Sequence, residues 1–169
     1  MLRIIGIALV LSGAGGFGVG KMVQFYRQMR QLQEFRNALE IIKCEMNYTL
    51  SPLPKLCRTT AKRVSGAASS FLLAYADALD KGISRTKAAQ TAMEQTKSLC
   101  LPKDATMAIL ELFGSLGRYE LEGENRLLRL TAHRLNAAIA RYESEKKPLA
   151  KGYAILGFCT GLAIVILIV

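Results

Sequence analysis

The chain has 169 residues, 51% of them hydrophobic, and its 23 lysines and arginines against 13 acidic residues give a net charge of +10. The single histidine, His133, excludes a metal site built on several histidines, and no C-x-x-C pair occurs among Cys44, Cys57, Cys100 and Cys159. The glutamates at positions 120, 122 and 124 alternate, so they do not share one helical face. We therefore predict no catalytic site, no metal site and no cofactor.

Uncharged apolar segments lie near both ends of the chain. Residues 4–20 contain no charged residue, and neither do residues 152–169. At about 1.5 Å of rise per residue, a helix of either length approaches the ~30 Å thickness of the hydrocarbon core of a bilayer. The segments predict transmembrane helices at residues 1–23 and 151–169, with a helical domain at residues 24–150 between them.

The distribution of charge predicts the orientation of the protein. All 13 acidic residues and every basic residue except Arg3 lie within residues 21–151, and basic residues occur next to both apolar segments. Because lysine and arginine near membrane helices favour the cytoplasmic side, we expect a cell-membrane protein with a cytoplasmic body and two outward-facing termini. Nucleic acid is not an expected partner, since the charges are spread along helices and no known binding motif is present.

The first apolar segment also fits other patterns. Its start resembles a signal peptide, but the apolar run extends to Gly20 and basic residues follow it. Residues 13–18 read G-x-G-x-x-G, the dinucleotide-binding fingerprint, yet no later segment reads as the buried strand which that fold requires. Small residues four apart instead predict close packing of membrane helices, within one chain or between copies, at Ala8, Ser12, Gly16, Gly20, Gly157 and Gly161.

The first body helix is predicted to continue the first membrane helix, because neither glycine nor proline interrupts it. Apolar residues recur at intervals of three and four from Met22 to Met46, which predicts one buried stripe. Ser51 is predicted to cap a second helix that opens at Pro52 and ends near Val64.

Three further short helices are predicted by their boundary residues. One spans about residues 67–81 and ends at Gly82, since glycine suits a helix C-terminus. Ser84 is predicted to cap the next helix. Pro102 opens another, which ends before the glycine turn at residues 114–117.

The last body helix is predicted from about residue 120 to residue 149. Leucine or tyrosine recurs every seven residues along it, at Leu121, Leu128, Leu135, Tyr142 and Leu149. Like the first body helix it is long, carries an apolar stripe and leads into a membrane segment, so the two helices are expected to pack antiparallel. The predicted fold is all-α: a helical bundle whose long antiparallel helices continue into N- and C-terminal transmembrane helices.

Several short segments of the chain resemble the stage III sporulation protein AB family of endospore-forming bacteria. They are MLRIIG at the N-terminus, RQLQ at residues 30–33, LEIIKCEMNY at residues 39–48 with SPL at residues 51–53, FGSLG at residues 113–117 and LGFCTGL at residues 156–162. The order of these segments, together with an apolar segment near each end, carries the resemblance over nearly the whole chain.

The resemblance implies a non-enzymatic membrane component of the complex that links mother cell and forespore, located in the mother-cell membrane around the forespore. The family's soluble part is similar to the helical domain of type II secretion platform proteins, which work beside a cytoplasmic ATPase. If the body docks such an ATPase, we expect a polar, basic contact surface, with candidate contacts at Arg58, Lys62, Arg63, Arg85 and Lys87.

Two other functions remain open on the sequence alone. A nucleotide binder would use residues 13–18, whereas a small lipid-binding or membrane-shaping protein would use its terminal helices and its basic body. The location of residues 13–18 separates the first of these from an assembly protein, because a fingerprint inside the bilayer cannot hold a cytoplasmic nucleotide.

Overall fold

The computed structural model describes the backbone of residues 2–48, 51–118 and 120–146, and the side-chain environments of residue 20 and of residues 22–144 within those ranges. The described chain is helical throughout, with no strand, so the prediction of an all-α fold is confirmed. Its helices are α1 (Leu2–Tyr48), α2 (Leu53–Ala61), α3 (Gly66–Asp80), α4 (Arg85–Gln95), α5 (Lys103–Ser115) and α6 (Leu121–Arg141), and a π-helical segment (Tyr142–Lys146) follows α6.

The predicted membrane helices stay predictions. In the described part of the chain, no helix combines the length and the apolar character needed to cross a bilayer. Residues 152–169 lie outside the described residues. Gly20 is exposed, and a Cβ there would meet no atom within 4 Å. The surroundings of the other predicted packing residues lie outside the described part: Ala8, Ser12, Gly16, Gly157 and Gly161.

The described residues divide into two units. Gln28–Ala140 form one compact unit, which we call the bundle, and the described residues before Gln28 and after Ala140 belong to the other. In that second unit, the Phe25 ring packs edge-on against Tyr26 with 5.5 Å between ring centroids. It also stacks on Tyr142 at 6.2 Å, so this part of α1 lies beside the π-helical segment.

The apolar stripe of α1 supplies one wall of the bundle core, as predicted. Leu32, Phe35, Leu39 and Ile42 are each at most 1% exposed. Their three- and four-residue spacing places them on one helical face, which packs against the other helices. Burying each such side chain contributes roughly 1.5–3 kcal/mol to the stability of the folded state, so the stripe fixes which way α1 faces.

An aromatic cluster joins α1, α3 and α5 in the core. The Phe71 ring packs edge-on against Phe35, with 5.5 Å between centroids, and against Phe113, at 5.0 Å. Tyr75 also packs edge-on against Phe113, and its hydroxyl donates a 2.7 Å hydrogen bond to the Phe113 carbonyl oxygen. Burial raises the pKa of Tyr75. The phenol therefore stays protonated and serves as a buried donor that ties α3 to α5.

The α6 stripe is confirmed in its middle and differs at its start. Leu128 and Leu135 are at most 1% exposed, but Leu121 is 44% exposed. Leu121 is the first residue of α6, and the first buried apolar residue of that helix is Leu128. The α-helix itself ends at Arg141, where the prediction had continued it to residue 149; residues 147–149 lie outside the described part.

The structure differs from the predicted start of α2 and agrees with the predicted end of α3. The prediction that Ser51 caps α2 was wrong: the helix begins at Leu53, and Pro52 occupies the N-cap position with an extended ψ of 144°. Proline has no N–H and its ring fixes φ, so it can end the preceding loop without a side-chain cap. Gly82 does end α3, with φ +74° and hydrogen bonds from its N–H to Leu79 O and from Ile83 N–H to Ala78 O.

Two polar side chains of α1 fasten distant segments to the bundle. The Gln31 amide donates to Ser98 O and accepts from Cys100 N–H, both at 2.7 Å, which holds the connection between α4 and α5. Glu34 Oε2 accepts the Ala67 N–H at 3.0 Å, at the first turn of α3. A Cβ on Gly66, whose φ is +71°, would collide with the Glu34 carboxylate. Glycine at that position therefore permits Glu34 to reach the helix N-terminus.

Candidate functional site

Two of the predicted partner contacts, Arg58 of α2 and Arg63 after it, are paired with carboxylates within the bundle. Arg58 Nη2 lies 2.7 Å from Asp77 Oδ1 and 2.6 Å from Asp80 Oδ2, and hydrogen bonds to these two carboxylates raise the pKa of Arg58. Arg63 Nη1 lies 2.7 Å from Glu45 Oε1. We call these five residues the ion-paired edge. Two guanidinium groups face three carboxylates there, so the edge has no excess of positive charge.

The other three predicted contacts have different surroundings. Lys62 and Lys87 are exposed, and neither forms an ion pair with a described carboxylate. Arg85 is half-buried, and three of its guanidinium atoms lie 3.6 to 3.7 Å from the position of a Cβ on Gly117. Its charged group therefore packs on the turn that follows α5, and the two lysines are the freely exposed cations of the predicted set.

A groove between α1 and α6, which the sequence analysis did not single out, is the other candidate surface. Its larger compartment has a volume of about 620 Å³ and contains Lys43 and Asn47 of α1 opposite residues of the first turns of α6. A smaller compartment of about 250 Å³ adjoins it, because Lys43 and Arg129 line both. Together we call them the α1–α6 groove. Its other polar lining residues are Glu40, Glu122, Asn125, Arg126, His133 and Asn136.

Helical periodicity explains why these side chains meet. On α1, Glu40, Lys43 and Asn47 are three and four residues apart, so they share a face beside the buried stripe. On α6, the lining residues at 122, 126, 129, 133 and 136 follow the same spacing. This polar periodicity was visible in the sequence, but it is equally typical of an ordinary solvated face. Only the packing of these two faces against each other in the structure shows that they form a groove.

A pair of asparagines joins the two walls of the groove. Asn125 Nδ2 donates to Asn47 Oδ1 at 2.9 Å, and Asn47 Nδ2 lies 3.4 Å from Asn125 Oδ1. Asn47 Nδ2 also donates to the Lys43 carbonyl oxygen at 2.8 Å. The last turn of α1 thus contacts the first turn of α6. Glu40, earlier in α1, lines the smaller compartment with His133 and Asn136, later in α6, so the two helices run antiparallel in the bundle. The amide pair holds the groove walls together.

The electrostatics of the groove differ from those of the ion-paired edge. Lys43, Arg126 and Arg129 form no ion pair with any described carboxylate, although Glu122 lines the same compartment. Lysine and arginine stay protonated at neutral pH. The larger compartment therefore presents three cations against one carboxylate, an arrangement that attracts anionic groups.

Other side chains that could bind a metal or act in catalysis contribute instead to the packing of the bundle. No group of His, Cys, Asp or Glu among the described residues is arranged to hold a metal ion. Cys57 is fully buried, and this burial raises the pKa of its thiol to about 12. Glu124, one of the three alternating glutamates, is 2% exposed and accepts the Gly117 N–H at 2.8 Å. That bond holds the turn before α6 in place.

The family model, a curated relative and a solved structure that match this chain all carry the same description. The model of the family described as "Stage III sporulation protein AB (spore_III_AB)" matches residues 3–169. The chain is 27% identical over 174 residues to the stage III sporulation protein AB of Bacillus subtilis (strain 168), with 99% of each protein covered. A solved structure titled "Stage III sporulation protein AB (SpoIIIAB)" superposes with a TM-score of 0.65 at 24% identity, covering 72% of this chain and 98% of that one. The family match spans both apolar segments and the helical bundle, so the chain belongs to the stage III sporulation protein AB family.

Proposed function

We propose that the chain is a membrane-anchored assembly component of the sporulation complex between mother cell and forespore, and that it is not an enzyme. The observation that carries this proposal is the family match along residues 3–169. In the proposal, residues 1–23 and 151–169 anchor a cytoplasmic body in the mother-cell membrane, with both termini outward. The uncharged segments at residues 4–20 and 152–169 and the basic residues beside them support this orientation.

The internal contacts of the bundle support an assembly role. Gln31 and Glu34 fasten a loop and a helix N-terminus to α1, and Tyr75 fastens α3 to α5. Contacts of this kind hold the helices in one arrangement, and a rigid surface binds a partner with less loss of conformational entropy than a mobile one. The side chains of Gln31, Glu34 and Tyr75 thus stabilise the arrangement of the helices in the bundle.

A cytoplasmic ATPase is the partner that we propose for the body, by analogy with the platform proteins of type II secretion. The proposed contact surface contains the exposed Lys62 and Lys87, with Arg58, Arg63 and Arg85 beside them in the sequence. The pairing of Arg58 and Arg63 with carboxylates supports a division of roles, in which the arginines maintain the local structure and the lysines are available to a partner.

Capture from sporulating cells tests the function. The tagged full-length chain is expected in the membrane fraction, where alkaline carbonate does not release it, and it should co-purify with sporulation proteins including an ATPase. Recovery in the soluble fraction, or capture of no other sporulation protein, would contradict the proposal. Binding to anionic vesicles without any protein partner would favour a lipid-binding or membrane-shaping protein instead.

The ATPase contact has its own test. A Lys62→Glu, Lys87→Glu variant is expected to capture less ATPase, and the remaining capture should depend more strongly on salt. Charge reversal at two exposed lysines outside the predicted set and outside α2, Lys97→Glu and Lys103→Glu, gives the same change in net charge. Equal capture by both variants would remove Lys62 and Lys87 from the contact.

A further inference from the structure

We infer that the α1–α6 groove binds an acidic segment of a partner protein. The inference rests on the proposed function in one respect, namely that the chain acts within a protein assembly. It starts from three cations, Lys43, Arg126 and Arg129, which converge on one concave surface without an ion-pair partner among the described residues. Such a surface gains the most from an anionic ligand, because binding does not have to break existing ion pairs.

The shape of the groove favours an extended ligand over a single small anion. Lys43 and Arg129 line both compartments, and the two volumes, about 620 Å³ and about 250 Å³, continue along the line where α1 meets α6. Successive carboxylates of an extended chain could contact cations in both compartments. Arg126 and Arg129 have planar guanidinium groups that pair with carboxylates through two parallel hydrogen bonds, which fixes the orientation of the ligand.

The walls of the groove are held in place before any ligand arrives. The amide pair of Asn47 and Asn125 joins them at one end. Leu39 and Leu128, each 1% exposed, lie at the floor of the smaller compartment and belong to the bundle core. Because α1 and α6 are fixed by that core, binding orders only the lysine and arginine side chains and the ligand itself.

The composition of the lining favours a protein segment over an anionic membrane. Glu40 and Glu122 interrupt the positive surface, so it does not match the uniform negative charge of an anionic membrane. A peptide can place its carboxylates at the cations and donate backbone N–H groups to these two glutamates. Tyr48 is 84% exposed and Leu121 is 44% exposed, and they adjoin the groove residues Asn47 and Glu122 in the sequence. Exposed aromatic and aliphatic side chains of this kind often anchor a protein partner at an interface.

Fluorescence anisotropy of the full-length chain in a zwitterionic detergent tests the inference. The probe is a short fluorescein-labelled peptide of glutamates around one leucine, with a glutamine version of the same peptide as the uncharged control. The Lys43→Glu, Arg129→Glu variant is compared with Lys55→Glu, Lys97→Glu, whose lysines are exposed and lie outside the groove. Circular dichroism confirms that each variant is folded, and a milder Lys43→Gln, Arg129→Gln variant replaces the reversal if it is not.

The groove reversal is expected to weaken binding of the glutamate peptide by about tenfold or more, while the control reversal changes it by less than about threefold. The glutamine peptide should bind poorly to every variant. Absence of glutamate-peptide binding to the unmodified chain overturns the inference. So does an equal loss in the two reversal variants, because that would indicate a response to net charge alone.

Lipid is distinguished by competition. Micelles or vesicles that contain phosphatidylserine are added to the peptide complex, with phosphatidylcholine as control. Displacement of the peptide by phosphatidylserine from the unmodified chain, together with groove-dependent binding of the anionic lipid, would assign the groove to a membrane and overturn the inference. These measurements use a purified chain and a synthetic peptide, so their failure is distinct from a failure of the chain to enter the sporulation complex.

Discussion

The ion-paired edge and the α1–α6 groove are both rich in basic residues, but their charges are arranged differently. At the edge, Arg58 is held between Asp77 and Asp80, and Arg63 contacts Glu45. In the groove, Lys43, Arg126 and Arg129 have no described carboxylate within ion-pair distance. The edge contains two arginines and the groove contains one lysine and two arginines, so a count of basic residues does not separate them. What separates them is whether each positive charge already has a partner.

This difference has an energetic consequence. Exposed ion pairs contribute little to folding stability, since solvent screens them and the side chains lose conformational freedom. They do, however, cancel the local electric field that an approaching partner would experience. Cations without an ion-pair partner preserve that field. The amide pair of Asn47 and Asn125 holds the two walls of the groove together. We therefore propose that the ion-paired edge maintains the local structure and that the α1–α6 groove binds a partner.

The largest expected effect comes from the bundle core along α1 and α6, which contains both Leu39 and Leu135. Leu39→Asp and Leu135→Asp each place a charge at a position that is at most 1% exposed. Each should cost several kcal/mol, against a total stability of roughly 5–15 kcal/mol for a domain of this kind, and should unfold the bundle. Thermal unfolding followed by circular dichroism measures this.

Two neighbouring asparagines provide matched controls for the leucine variants. Asn37→Asp and Asn136→Asp add the same charge at exposed positions, two residues from Leu39 and one residue from Leu135. They should melt within a few degrees of the unmodified chain. A leucine variant that melts like its asparagine control would show that its leucine is wrongly assigned to the core.

A smaller effect is expected at Glu34, which combines an exposed ion pair with a more buried contact. Its carboxylate pairs with Arg30, whose side chain is 76% exposed, and accepts the Ala67 N–H at the start of α3. Glu34→Ala should lower the free energy of unfolding by about 1–2 kcal/mol, because it leaves a helix N-terminus without its acceptor. Arg30→Ala removes only the exposed pair and should cost about 0.2–0.5 kcal/mol. Equal losses, measured by urea unfolding, would show that the cap contributes nothing.

The thiols report on the two regions separately. Cys57 adjoins Arg58 and is fully buried, and burial raises the pKa of its thiol to about 12. Cys44 adjoins Lys43 and is exposed. In single-cysteine variants near neutral pH, iodoacetamide should label Cys44 readily and Cys57 only after the edge opens. Rapid labelling of Cys57 in the folded protein would contradict the packing of α2.

The same pKa predicts a loss of stability in alkali. An unfolded thiol ionises near pH 9, whereas the buried Cys57 thiol keeps its proton until about pH 12. The folded state therefore binds more protons in this interval, and the free energy of unfolding should fall as pH rises from about 9 towards 12. A Cys57→Ala variant should lack this part of the alkaline slope; an unchanged slope would mean that other groups cause it.

The smallest effect is expected from the edge itself. Arg58→Ala breaks two exposed ion pairs, so the unfolding temperature should fall only slightly, and the difference should shrink further at high salt. Glutamate-peptide binding by the groove should be unaffected. A large loss of stability that persists in high salt would mean that the edge holds α2 to α3 by more than screened charge.

The sequence predicted the parts of the fold that depend on local periodicity. The α1 stripe from Phe25 to Ile42 and the buried Leu128 and Leu135 follow directly from apolar spacing. Gly82 was predicted because only a residue that tolerates positive φ suits that helix end. Ser51 was assigned wrongly: serine followed by proline is a common N-cap pattern, but here the helix begins one residue later and Pro52 occupies the N-cap.

The groove and the ion-paired edge could not be predicted in the same way. The groove depends on the register of α1 against α6, which brings Asn47 to Asn125 across 78 positions of sequence. The edge depends on the packing of α2 against α3, which places Arg58 between two aspartates of another helix. Helical spacing identifies which residues share a face, but it does not identify which other face they meet.

Chemical-shift mapping tests the distinction between the two regions most directly. The 15N-labelled full-length chain in micelles is titrated with the glutamate peptide, and amide shifts are followed along the bundle. The account predicts shifts that concentrate at Lys43, Arg126 and Arg129, with little change at Arg58 and Arg63. Shifts that concentrate at the ion-paired edge, or that follow every exposed basic residue equally, would contradict it.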